Sequence, residues 1–125
     1  MNKPRAALKL PAAAVITLPW FNPDLSPNAR VHWARKVKAA KAARQEGYYA
    51  TKQAGVKVDC AKKVHLWIEF YPKTKRKVDD DNCLAAFKSY RDGIADALGM
   101  NDSLFQSHPV VMAETGGKMI VRLEQ

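Results

Sequence analysis

The chain reads as an α+β protein: one small domain, residues 1–125, built from a mixed β-sheet and two main helices. Three observations predict this. A length of 125 residues with 47% hydrophobic content leaves room for one modest core and no second domain. Apolar residues alternate with polar ones in some segments and recur at helical spacing in others. The segments then follow in the order β-α-β-α-β-β, with no internal repeat.

Residues 1–12 read as a loose tail, and Val15-Ile16-Thr17-Leu18 as a short strand stopped by Pro19. Phe21 to Pro27 is a loop by its prolines and Asn, Asp and Ser content. Ser26 before Pro27 offers a capping hydroxyl ahead of a proline at the first helical position, so a helix is predicted from Pro27 to about Ala54. Alanines and cations favour that helix, while Gly47 followed by Tyr48 and Tyr49 is a place to kink or end it. Trp33, Val37, Ala40 and Ala43 form its expected core stripe, which leaves the cations on the other face.

From Val64 the period changes. Val64, Leu66, Ile68 and Phe70 alternate with His65, Trp67, Glu69 and Tyr71, a strand with one strongly apolar face that Pro72 closes. A second helix is predicted from about Asn82 to Leu98. Cys83, Phe87, Tyr90, Ile94 and Ala97 share a stripe there, and Gly99 is placed as a left-handed cap. Gly93 inside it costs about 1 kcal/mol relative to Ala, which implies close packing or a break. Val110 to Met112 and Lys118 to Glu124 around Thr115-Gly116-Gly117 read as a β-hairpin.

The formal net charge is +9, from 21 Lys and Arg against 12 Asp and Glu, which favours a polyanionic partner: nucleic acid or an acidic membrane surface. Cations concentrate in residues 30–52 and 73–77, whereas Asp79, Asp80, Asp81, Asp92, Asp96 and Asp102 make a local acidic focus. Cys60 and Cys83 lack metal spacing, which excludes a structural zinc site and leaves two thiols in a reducing compartment. Lys9 and Pro11 interrupt any secretory apolar run, and no stretch approaches the roughly 20 apolar residues of a spanning helix. A cytoplasmic, soluble protein with no membrane partner is expected.

Asp79-Asp80-Asp81-Asn82 carries the chemistry. Two carboxylates about 4 Å apart repel by roughly 4 kcal/mol at an effective dielectric near 20, so such a cluster needs solvent, a partner or a cation. If the stretch is extended, Asp79 and Asp81 converge and Asp80 points away. That pair suits Mg²⁺, with Mn²⁺ as an alternative, better than zinc. Lys88 lies two helical turns beyond Asp81 on the same stripe, and Asp92 and Asp96 continue it. A metal and an ammonium beside one phosphodiester suit hydrolysis. Two structural readings compete: the acids cap a helix, and Lys88 pairs with Asp92. An EF-hand is excluded, because its sixth and twelfth positions counted from Asp79 are Leu84 and Tyr90.

Asp79-x-Asp81-Asn82, then Lys88-x-x-x-Asp92-x-x-x-Asp96-Ala97-Leu98, then Asn101-Asp102, resembles the RusA family of Holliday-junction resolvases, with Leu18-Pro19-Trp20 and the basic helix resembling its N-terminal half. The resemblance implies a RusA-like homodimer that binds four-way DNA junctions and nicks paired strands with Mg²⁺ or Mn²⁺. By position it implies Asp79, Asp81 and Asp102 as metal-binding acids and Lys88 as the family lysine. Shorter members carry that lysine three residues earlier, where this chain has Ala85. An unbroken helix from Asn82 to Leu98 is about 25 Å long, so Asp102 reaches the other acids only if the helix breaks, the chain returns, or a second subunit supplies it.

Arg30, Arg35, Lys36, Lys73, Lys75, Arg76 and Lys77 are the expected DNA contacts, since phosphate binding asks for charge. His32, His65 and His108 show no metal spacing. Trp33, Trp67, Tyr48 and Tyr49 fit core or dimer packing better than base stacking. The rival functions are a non-catalytic DNA-binding regulator, in which the acids are structural, and a flap- or fork-specific nuclease of the same chemistry.

Overall fold

A computed structural model describes residues 14–125, and the expected tail, residues 1–12, lies outside the described residues. Strand β1 (Val15–Pro19), helix α1 (Trp33–Ala54), strand β2 (Val64–Tyr71), helix α2 (Asp80–Leu98), strand β3 (Phe105–Val111) and strand β4 (Lys118–Glu124) follow in the predicted order. The strands form one mixed sheet ordered β1-β4-β2-β3, so the α+β class with two helices holds.

The expected hairpin does not form. β4 lies antiparallel between β1 and β2, while β3 runs parallel to β2 on its far side. The Gly116-Gly117 turn docks on the end of β2 instead: both glycine N–H groups donate to Pro72 O, at 2.9 and 3.3 Å. β2 therefore takes the central place that a local turn signal assigned to β3 against β4. Its apolar face explains why, since Val64, Leu66, Ile68 and Phe70 are all fully buried. A strand so apolar gains most where it is covered on both edges and packed beneath helices.

Helix α1 begins at Trp33, not Pro27. Ser26 Oγ accepts from Asn28 N–H at 3.3 Å in a local turn, and His32 caps the helix instead, its Nδ1 accepting from Ala34 N–H at 3.1 Å. The buried stripe is also rotated from the expected one: Ala39, Ala43, Gly47 and Thr51 face inward, while Trp33 and Val37 stand in solvent. Small residues win the inner face because the helices approach closely. A Cβ on Gly47 would lie 2.3 Å from Tyr90 O, and one on Gly93 would lie 2.0 Å from Arg44 O. Neither glycine breaks its helix; both serve the crossing. The helix-capping role of Gly99 is as expected, with φ 68°.

The sheet face away from the core stripe carries a polar network. Glu69, 2% exposed, accepts from Arg122 Nε at 3.0 Å and from Tyr71 Oη–H at 3.1 Å. His65 Nδ1 and His108 Nε2 share a hydrogen bond of 2.9 Å, and the His108 ring stacks on Trp67 at 4.1 Å. Burial, then the neighbouring His65, holds the His108 pKa below its ordinary 6.5. The unfolded chain accepts that proton near 6.5 and the folded chain resists it. Stability is therefore full above about pH 6.5 and falls as the pH drops towards the folded value. Urea midpoints measured from pH 8 down to 5 will show this decline, and His108→Gln will flatten it.

Candidate metal and nucleic-acid site

The acids sit where β2 hands over to α2. Pro72 ends the strand, the loop 73–78 follows, and Asp79 in extended conformation (φ −91°, ψ 128°) caps the helix, its Oδ1 accepting from Asp81 N–H at 2.9 Å. The helix thus starts two residues earlier than predicted, and the extended alternation does not apply to this stretch. Asp80 does not point away: one carboxylate oxygen from each of Asp79, Asp80 and Asp81 lies within 4.8 Å of the other two. The sequence reasoning missed Asp80 because it took the acids as strand. A cap at Asp79, the competing structural reading, is the signal that would have included it.

All three acids are exposed. The helix N-terminus favours each by about 0.3–1 kcal/mol, which offsets part of their mutual repulsion. Their field reaches the buried Cys83 next along the chain: burial first, then Asp79 and Asp80, pushes that thiol up to about 11. Cys83 therefore stays protonated. Cys60 is exposed and donates to Leu98 O at 3.1 Å, and neither cysteine completes a metal set.

Cations share a cleft with the first of these acids, Asp79. Lys73, Arg76 and Lys77 line a cleft of about 500 Å³ together with Asp79, Asn82, Trp20 and Phe21. Lys75 is exposed on the same loop. The Gly116-Gly117 turn anchors the start of this basic loop through its backbone bonds to Pro72 O. Arg30 is exposed, Lys36 is half-buried, and Arg35 is partly neutralised by Asp24 at 2.8 Å.

Lys88 lies in a second groove, between α2 and the edge strand β3, that Asp81, Arg91, Gln106 and Ser107 also line. Its ammonium pairs with Asp92 at 3.4 Å, an exposed pair worth a few tenths of a kcal/mol. Asp96 is taken by Arg44 through bonds of 2.6 and 2.9 Å, and that guanidinium holds the Asp96 carboxyl below the usual carboxylate range. Asp102 stands apart from the triad. Nineteen helical residues, about 28 Å, separate the start of α2 from its end, and Asp102 follows that end in a short turn capped by Asn101. Arg91, which the sequence reading passed over, ties this turn to α2: its Nη2 donates to Asp102 O at 2.9 Å, and its guanidinium lies over the Phe105 ring at 5.7 Å.

The donor set suits a hard divalent cation. Every available ligand atom is a carboxylate oxygen, and Asp79 keeps Oδ2 free of the cap bond. Among the described residues no helix is long and apolar enough to cross a membrane.

No family model matches the chain. It is 48% identical over 113 residues to an uncharacterized protein of Xylella fastidiosa (strain Temecula1 / ATCC 700964), an alignment covering 86% of this chain and 74% of that protein. At that identity and coverage, this chain and the Xylella protein belong to one family.

Proposed function

We infer that the protein is a RusA-like, metal-dependent endodeoxyribonuclease that resolves four-way DNA junctions as a homodimer. The observation that carries this reading is a cluster of three carboxylates whose first member, Asp79, lines one cleft with Lys73, Arg76 and Lys77. Cations alone suit any polyanion. Acids set among them suit a phosphodiester whose charge is shared with a metal.

In this reading Asp79 and Asp81 hold the ion, with Asp80 beside them. Mg²⁺ or Mn²⁺, when bound, supplies Lewis-acid polarisation of the phosphate and acidifies water for attack. Lys73, Lys75, Arg76 and Lys77 bind and orient the backbone of the cut strand, and Arg30, Arg35 and Lys36 extend the contact. Lys88, released from Asp92, stabilises negative charge that develops on the phosphoryl oxygens. Asp102 completes the site from the second subunit across a two-fold, which its distance from Asp81 along α2 favours.

One observation favours the second reading, a DNA-binding regulator with structural acids: Asp79 caps α2. A labelled four-way junction incubated with and without Mg²⁺ separates the two. Symmetric paired nicks that require the metal support the enzyme, and binding without nicks supports the regulator. Competing flaps and forks against the junction tests branch selectivity. Mixing Asp79→Asn with Asp102→Asn subunits restores part of the cleavage if the site is shared, and a mixture that stays inactive removes the shared site.

A further inference from the structure

Among the described residues Tyr49, Trp33 and Val37 are the large hydrophobic side chains left exposed, and the last two make a pair. Trp33 and Val37 lie one turn apart on α1, 70% and 49% exposed, and neither belongs to the core cluster. Tryptophan offers 150–250 Å² of mostly apolar surface whose burial this fold leaves unused. Two occupants could cover it: a second copy of this chain or a ligand with flat apolar faces.

Charge decides between them. The segment around the pair carries Arg30, Arg35, Lys36, Lys38 and Lys41, and Glu46 is the one acid within α1. A two-fold contact lays a patch on its own copy, which here brings like charges together at low separation. Asp24 offsets one guanidinium, that of Arg35, and leaves the others. A polyanion with stackable rings satisfies both the charge and the aromatic surface. The imidazole of His32 lies 5.7 Å from the indole at 33°, adding a second ring beside it.

We propose that the N-terminal half of α1 is a nucleic-acid surface on which Trp33 stacks against an unpaired base of branched DNA, while Arg30, Lys36 and Lys41 hold the flanking phosphates. This rests on the nucleic-acid reading above and adds to it a contact that distinguishes open bases from paired ones. Stacking is blind to sequence, because every base presents a flat face.

Fluorescence anisotropy of the full chain tests it, with a four-way junction and a linear duplex of equal length at fixed salt. Trp33→Ala is expected to weaken junction binding by about tenfold or more, while Trp33→Phe retains most of it. Duplex affinity stays within about twofold, and the salt slope is unchanged because an indole releases no counterions. A 2-aminopurine at the branch point is quenched by the wild type and not by Trp33→Ala. The side chain lies in solvent, so circular dichroism of the variant will match the wild type. Unchanged junction affinity in Trp33→Ala overturns the proposal, and so does light scattering that shows the variant dissociating a dimer. Wild-type protein that binds neither DNA overturns the nucleic-acid reading itself.

Discussion

Asp81→Asn will lose metal-dependent junction cleavage by at least about a hundredfold, while binding the junction as tightly as the wild type or more tightly. The Asp81 carboxylate is exposed, and the only hydrogen bond described at this residue within the cluster uses its backbone N–H. Loss of activity therefore cannot be traced to the fold. Binding holds or improves because one negative charge leaves the acid cluster and the groove that Asp81 lines with Lys88 and Arg91, which lessens repulsion of phosphate. Asp79→Asn gives the same pattern for a separate reason: asparagine is as good a helix cap as aspartate, so α2 stays closed while a ligand is lost. Nicking assays beside anisotropy check both variants. Undiminished cleavage in Asp81→Asn would remove the acid cluster from the reaction.

Gly93→Ala will destabilise the fold by about 3 kcal/mol or more, lowering the melting temperature by about 10 °C. The new methyl would stand 2.0 Å from Arg44 O and 2.8 Å from Tyr48 N, and backbone cannot step aside as a side chain can. The helices must separate, which also pulls Arg44 away from Asp96. Gly99→Ala is the control. Its Cβ meets nothing within 4 Å, so only the left-handed backbone at φ 68° opposes it, at about 1–2 kcal/mol. Thermal melts of the two variants in parallel check the contrast; equal losses would mean that the crossing is looser than these distances.

Local signals in the sequence were faithful where local forces decide. The period-two alternation at Val64 to Phe70 marked β2, and Pro72 and Gly99 marked real ends. Signals failed where a distant partner decides. Thr115-Gly116-Gly117 has the composition of a hairpin turn, but β2 outcompetes β3 for the edge of β4 because its apolar face needs the sheet centre. Trp33 and Val37 match a core stripe by spacing, yet an alanine-rich helix packed through Gly47 and Gly93 admits only small side chains inward. Nothing near Gly47 in the sequence announces that the backbone of Tyr90 packs against it.

The candidate site was partly legible for the same reason. Adjacent acids after a basic run are close in any conformation, so their meeting needs no tertiary knowledge. Their geometry did need it: taking Asp79 to Asp81 as extended dismissed Asp80, which the helical start returns to the cluster. Helical spacing puts Lys88 on the stripe of Asp81, but its pairing with Asp92 is only one of two readings that the spacing allows. The Arg91 strut beneath Asp102 depends on where β3 begins, which the mistaken hairpin had hidden.

Anomalous scattering from manganese, in crystals of the protein grown with a junction oligonucleotide, tests the central claim most directly. A peak bridging the carboxylates of residues 79 and 81 and a backbone phosphate is predicted. DNA seated in the cleft with no peak at those carboxylates would contradict it.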